Sequence, residues 1–190
     1  MKLRESGMPE ESYWETLFDV DLILDRLGID NRLHDLIEMG CGYGTFTIPV
    51  ARRISGVLDT FDIEPAMIER TRQRASKAAV GNIRYHERDV LTDGFGLSAE
   101  SRDACLLFNI LHGEEPMGLL NEAARVVRVG GAVHAIHWRY DARTPRGPSL
   151  DIRPRPERIV AWAEDTGRLH RDGGPLDLPP WHYGWRFIKS

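Results

Sequence analysis

Short apolar runs alternate with amphipathic helical segments along this chain, and that alternation limits the folds open to it more than any other feature. Leu36 to Met39, Val57 to Asp62, Asn82 to Glu87, Asp103 to Phe108 and Ala132 to Trp138 read as buried strands. Helices are predicted over 45–54, with Pro49 in the first turn or at a kink, and over 65–79, opened by Pro65. Two more are predicted over 116–129, closed by Gly130 and Gly131, and over 156–166, stopped by Gly167. Residues 168–171 and 182–189 supply two last strands. An amphipathic helix over 9–27, carrying Tyr13, Trp14, Leu17, Phe18, Leu24 and Leu27 at helical spacing, precedes the first strand and stops at Gly28. Strands joined by crossover helices form a parallel sheet covered on both faces. In such a sheet, ligands bind outside the carboxyl ends of the strands, where the strand order reverses.

The first place to look is therefore the exit of the first strand, Glu38-Met39-Gly40-Cys41-Gly42-Tyr43-Gly44-Thr45. Glycines let a backbone turn tightly and approach a ligand, and the following helix offers unpaired N–H groups. A glycine loop alone is also what a plain strand-to-helix turn looks like. Asp62 at the end of the second strand, about 20 residues downstream, adds the acid that partners ribose hydroxyls. A carboxylate can accept two hydrogen bonds from a vicinal diol. A dinucleotide and S-adenosylmethionine both fit to this point. The dinucleotide fingerprint wants a small residue where Thr45 stands, and Glu38 would repel a pyrophosphate but suit the ammonium of a methionine moiety, directly or through water.

Glu38 to Thr45 resembles the first motif of class I S-adenosylmethionine-dependent methyltransferases. Thr60-Phe61-Asp62-Ile63-Glu64-Pro65-Ala66-Met67-Ile68 resembles their second-strand motif, with Glu64 departing from the usual Ser or Asn. Glu87-Arg88-Asp89-Val90 is similar to the segment whose Asp contacts the adenine amino group. Asp103 through His112 resembles the fourth strand and its exit, and Leu120 through Gly131 the helix and glycines before strand five. The likeness spans roughly 33–138, with five motifs in order. It implies a Rossmann-like three-layer α/β sandwich with a seven-stranded, mostly parallel sheet whose antiparallel last strand comes from 182–189. It implies S-adenosyl-L-methionine as cofactor, held by Glu38, Gly40, Cys41, Gly42, Gly44, Asp62, Ile63, Asp89, Val90 and Asn109.

The methyl of a sulfonium is already activated, so positioning the acceptor supplies much of the acceleration and a base is needed only if the acceptor must lose a proton. His112 has the resting pKa of a neutral-pH base and leaves the fourth strand beside the expected methyl position, although it could equally pack or cap the next helix. Trp138 and Arg139 end the fifth strand on the expected pocket side, where an aromatic ring could face the sulfonium or a substrate. Tyr13 and Trp14 read either as a lid over the site or as core aromatics. The stretch 139–155, rich in Arg and Pro, reads as an insertion loop that either receives an anionic acceptor or is simply solvated. His134 and His137 fall on opposite faces of a strand, and Cys41 and Cys105 lack ligand spacing, so no metal site is expected.

The 190 residues are expected to form one domain, with a helical cap over 1–30. A net charge of −4 and the absence of an Asn-Pro-Pro motif after the fourth strand (Asn109 precedes Ile110) argue against a DNA substrate. No apolar run approaches the ~20 residues of a membrane span, the first residues lack a signal-peptide core, and a cytoplasmic location is expected. A homodimer is compatible with the sequence, which does not set the oligomeric state. The function expected is methyl transfer to a small-molecule acceptor. The alternatives are a non-catalytic cofactor-binding module and, less favoured by Thr45 and Glu38, a nicotinamide-dependent oxidoreductase.

Overall fold

The computed structural model describes residues 8–190; the first seven residues of the expected cap lie outside them. Strand β1 (Leu36–Met39) is buried on both faces, with Glu38 its one charged residue, and lies inside the sheet. It pairs in parallel with β2 (Leu58–Asp62) on one side and β4 (Arg102–Phe108) on the other. Outside these lie β3 (Ile83–Glu87), parallel to β2, and β5 (Val127–Trp138), parallel to β4. Strand β8 (His182–Lys189) runs antiparallel to β5. Its outer edge is shared end to end by β6 (Leu169–Arg171), opposite residues 187–189, and β7 (Leu176–Leu178), opposite residues 182–184. The sheet thus has eight strands where seven were expected, arranged in seven positions. The extra strand is β7, three residues long and too short to carry a periodic signal. The antiparallel strand lies where it was expected.

Helices cover both faces, so the central strands read as continuous apolar runs rather than alternating ones. On one face Ile37, Phe61, Cys105, Leu107 and Val133 pack with Leu119, Leu120 and Ala123 of α6 (Pro116–Val126) and Ile159 and Ala163 of α7 (Pro156–Asp165). On the other, Leu36, Leu58, Ala104, Leu106 and Ile136 pack with Val50 and Ala51 of α3 (Thr47–Arg53) and Ile23, Leu24 and Leu27 of α2 (Val20–Leu27). Helix α4 (Pro65–Lys77) lies along β2 and β3, and α5 (Val90–Asp93) is a single turn that was not expected.

Two boundaries depart from the sequence reading. The helix expected over 9–27 breaks into α1 (Glu11–Glu15) and α2, because the Thr16 hydroxyl bonds back to the Tyr13 carbonyl and Asp19 caps a new helix through the Leu22 N–H. The helix expected over 116–129 ends at Val126, since Val127 already pairs with Arg102 across a bulge, and β5 starts there. Residues 139–155 contain neither helix nor strand. The strand order reverses between β1 and β4, which places the exits of those two strands, Gly40 and Asn109, on either side of the crevice.

Candidate active site

Strand β1 delivers the chain into the glycine loop. The Gly40 N–H donates to the Phe61 carbonyl at 2.7 Å and the Gly44 N–H to the Cys41 carbonyl at 2.8 Å, closing the loop before α3 begins. Gly40 and Gly44 have φ of +84° and +80°, and a Cβ on Gly44 would meet Thr71 Cγ2 at 3.0 Å. Only glycine holds that position without strain.

Asp62 ties the loop to the second strand. One carboxylate oxygen accepts the Gly42 N–H at 3.1 Å and the Cys41 thiol at 3.5 Å; the other accepts the Glu64 N–H at 3.0 Å. A carboxylate offers about four lone-pair sites, so acceptor capacity remains on the open side. Asp62 shares a cleft with Gly40, Ile63, Asp89, Val90 and Ile110. Asp89 caps α5, accepting from the Leu91 and Thr92 N–H groups and the Thr92 hydroxyl. Met39, Phe61, Arg88 and Leu91 also line the cleft; these four and Ile110 were not anticipated. Of these, Met39 and Arg88 could have been found from the rule that strand ends line the site.

Asn109 turns the chain out of β4 with φ +58°, a conformation few residues other than glycine and asparagine adopt. Its Oδ1 is buried and has no hydrogen-bond partner among the described residues. A buried acceptor without a donor is costly, and a ligand donor at this strand exit would satisfy it. Glu38 stands behind the loop, 2% exposed, with the hydroxyls of Thr47 (2.6 Å) and Thr60 (2.8 Å) donating to the same carboxylate oxygen. Burial pushes its pKa up to about 7. Burial, with the charges of Asp62 and Glu38 beside it, raises the Cys41 thiol far above its usual range.

Other expected site residues lie elsewhere. Trp138 is 2% exposed, packed against His182, Phe18 and Trp14 with ring centroids 4.2, 6.0 and 6.2 Å away. It is a core residue, so its expected place facing a ligand is corrected. Arg139 pairs with Asp177 and donates to the His182 carbonyl, holding β7 to the end of β5 instead of meeting a substrate. Trp14 belongs to the same aromatic cluster, whereas Tyr13 points to solvent. The lid-like contacts come from their neighbours: the Tyr43 hydroxyl donates to the Pro9 carbonyl at 2.8 Å, and Glu11 pairs with Arg70 and Arg74 of α4. These contacts join segments far apart in sequence, and no local pattern announces them.

His112 is partly buried, its Nδ1 3.3 Å from His137 Nε2. Burial, reinforced by the nearby Arg153 charge, lowers its pKa to about 4. The near-neutral resting pKa expected of it is therefore corrected: it is a neutral ring at physiological pH. It lines a second cavity of about 600 Å³ between α6, α7 and the 139–155 loop. The loop is shaped by Arg153, 7% exposed, whose guanidinium donates to the carbonyls of Pro148, Arg139, Asp141 and Arg146. The reading of the loop as solvated fails at this residue. Among the described residues no group of three or more His, Cys, Asp or Glu side chains could hold a metal ion, and no helix is long and apolar enough to cross a membrane.

A family model described as a methyltransferase domain matches residues 36–131, from the first strand to the start of the fifth. The chain belongs to this methyltransferase family. The glycine loop, the acid after β2 and the sheet order make it an S-adenosylmethionine-dependent member. Among solved structures, it is similar to a SAM-dependent methyltransferase from Aquifex aeolicus, 18% identical, with 95% of this chain and 94% of that one covered and a TM-score of 0.82. A geranyl diphosphate C-methyltransferase from Streptomyces coelicolor is 15% identical over 97% of this chain and 85% of that one, with a TM-score of 0.74. These two likenesses concern the fold. A 23S rRNA (uracil(1939)-C(5))-methyltransferase, RlmD, from Alcanivorax borkumensis is 35% identical over 77 residues, 40% of this chain and 17% of that protein. Its counterpart from Alkalilimnicola ehrlichii is 38% identical over 71 residues, 37% of this chain and 16% of that protein. The chain thus spans about a sixth of the length of these curated relatives.

Proposed function

We propose that this methyltransferase acts on a small-molecule acceptor and holds its cofactor in the cleft at the exits of β1, β2 and β4. The observation that carries the cofactor half of this reading is Asp62: it is locked by the loop's own N–H and still presents acceptor capacity to the cleft. When bound, S-adenosylmethionine supplies a methyl group activated by a sulfonium. Asp62 accepts from the ribose hydroxyls, and Ile63 and Val90 give the apolar walls beside the adenine. Asp89 caps α5 at the wall of the same cleft. Asn109 presents its unpaired Oδ1 to a donor of the amino-acid end. Glu38 works from behind, tying Thr47 at the start of α3 to Thr60 of β2. His112, a neutral ring at physiological pH, orients the acceptor through Nε2, the ring nitrogen that does not face His137.

The acceptor half rests on the second cavity, open to solvent, whose volume of about 600 Å³ suits a small molecule, and on the overall acidity of the chain, which disfavours a polyanion. A calorimetric titration tests the cofactor: S-adenosylhomocysteine binds and NAD does not, and Asp62→Ala weakens binding by about 1–3 kcal/mol, roughly 5- to 150-fold. Binding of NAD alone, or an unchanged affinity in Asp62→Ala, overturns that half. A screen with labelled methyl donor against small molecules and against RNA tests the acceptor, and turnover of RNA alone overturns the small-molecule reading.

A further inference from the structure

The second cavity carries a chemical signature of its own. Arg155 and Arg158 line it, both exposed, and neither has a carboxylate partner among the described residues. Most other arginines of this region are engaged: Arg139 with Asp177, Arg143 with Asp141, and Arg153 with backbone carbonyls. The two unpaired guanidiniums are instead laid on aromatic faces that also line the cavity. The Arg155 carbon lies 3.8 Å from the centroid of Tyr140, and that of Arg158 lies 5.2 Å from the centroid of Trp162. A guanidinium stacked on a ring keeps its N–H edges free and its position fixed, which is the arrangement that suits bidentate recognition of an oxyanion. Glu114 and Asp151 line the same cavity, and among the described residues neither forms an ion pair with either arginine. They add negative charge, which disfavours a polyanion over a ligand with one compact anionic group.

Around the arginines the wall is apolar, with Leu150, Ile152 and Pro116, and His112 closes the side toward the exit of β4. Ile110, two residues before His112, lines the cofactor cleft, so the cavity adjoins the place where the methyl group would be delivered. Helices α6 and α7 both begin at this cavity, with Pro116 and Arg155 in its wall, and neither start is capped by a side chain. Their unpaired N–H groups add a weak positive potential of the same sign as the arginines.

We propose that this cavity receives a small acceptor carrying a carboxylate or a phosphate, with Arg155 and Arg158 binding the anion and the apolar wall binding the rest. The proposal rests on the small-molecule reading above and deepens it: it names the charge class of the acceptor. Arg155 and Arg158 are specificity residues, and the group to be methylated lies at the opposite, His112 end.

The test uses the full chain saturated with S-adenosylhomocysteine and three probes of similar size: benzoate, phenyl phosphate and benzyl alcohol. Binding is followed by two-dimensional NMR of backbone amides. One or both anions should bind at least tenfold more tightly than the alcohol and shift resonances in 150–162, and the better anion tells carboxylate from phosphate. Arg155→Gln with Arg158→Gln, both surface changes, should abolish that preference while the affinity for S-adenosylhomocysteine is unchanged. Equal binding of the three probes, or a preference that survives both substitutions, overturns the proposal. So does a short RNA that binds through the same two arginines and displaces both anions. If S-adenosylhomocysteine itself does not bind, the cofactor reading has failed instead, which separates the two.

Discussion

Acid should unfold this protein through its buried histidines, and the structure sets the size of the effect. His134 and His182 are 2% and 0% exposed, and burial together with nearby arginines lowers both to about 3. An unfolded histidine takes up its proton near 6.5. Between those values the unfolded chain binds protons that the folded chain refuses, so stability is full above 6.5 and is lost as the pH falls toward 3. From pH 7.5 to pH 5 each of the two costs about 2 kcal/mol. Glu38 acts in the opposite direction. Its folded pKa of about 7 lies above the unfolded value of 4.5, so its contribution is full below 4.5 and is lost as the pH rises through 7. Over the same pH drop it returns about 2 kcal/mol. The balance from these three groups is a loss of about 2 kcal/mol at pH 5, deepened by His112 and His137, which burial also holds below their usual value. That is a large share of the 5–15 kcal/mol that stabilises a typical domain. Urea unfolding followed by tryptophan fluorescence at pH 7.5 and pH 5 measures it directly. Glu38→Gln should steepen the dependence by about 2 kcal/mol, and His134→Gln with His182→Gln should flatten it by about 4 kcal/mol. A double histidine variant that keeps the full wild-type dependence would refute the reasoning.

Two further perturbations probe what holds the site in place. Asp59, 1% exposed, accepts two hydrogen bonds from Arg102 at 2.8 and 3.0 Å and a third contact from His86 at 2.7 Å. Arg102→Met leaves that carboxylate buried without its main partner and should cost about 3–5 kcal/mol in chemical denaturation; a loss below 1 kcal/mol would show that the pair is not needed. Arg153→Gln removes the guanidinium that gathers the carbonyls of the 139–155 loop. Trypsin should then cut at Arg143 and Arg146 at least tenfold faster with the global unfolding midpoint little changed, and an unchanged cleavage rate would mean that Tyr183, which donates to the Pro154 carbonyl, suffices to pin the loop.

The layered architecture and the glycine loop between β1 and α3 were legible in the sequence because both depend on local patterns. A strand buried on two faces must be apolar throughout, a glycine loop must follow it if backbone is to approach a ligand, and the acid that meets the ribose must end the next strand. Gly40, Gly44 and Asp62 were therefore found by spacing, and the structure adds that Asp62 also secures the loop. What failed to show in the sequence depends on distance. Trp138 and Arg139 look like site residues by their position at a strand end, yet Trp14, Phe18 and His182 bury the first and Asp177 takes the second. The near-neutral pKa of a free histidine suggested His112 as a base, and burial beside His137 removed that property. Of the arginines after the fifth strand, composition could not say which would be consumed in holding the loop and which would remain free. Tertiary structure decided it, because a guanidinium is available to a ligand only when folding leaves no carbonyl or carboxylate within its reach. Arg153 met several, and among the described residues Arg155 and Arg158 met only the faces of aromatic rings.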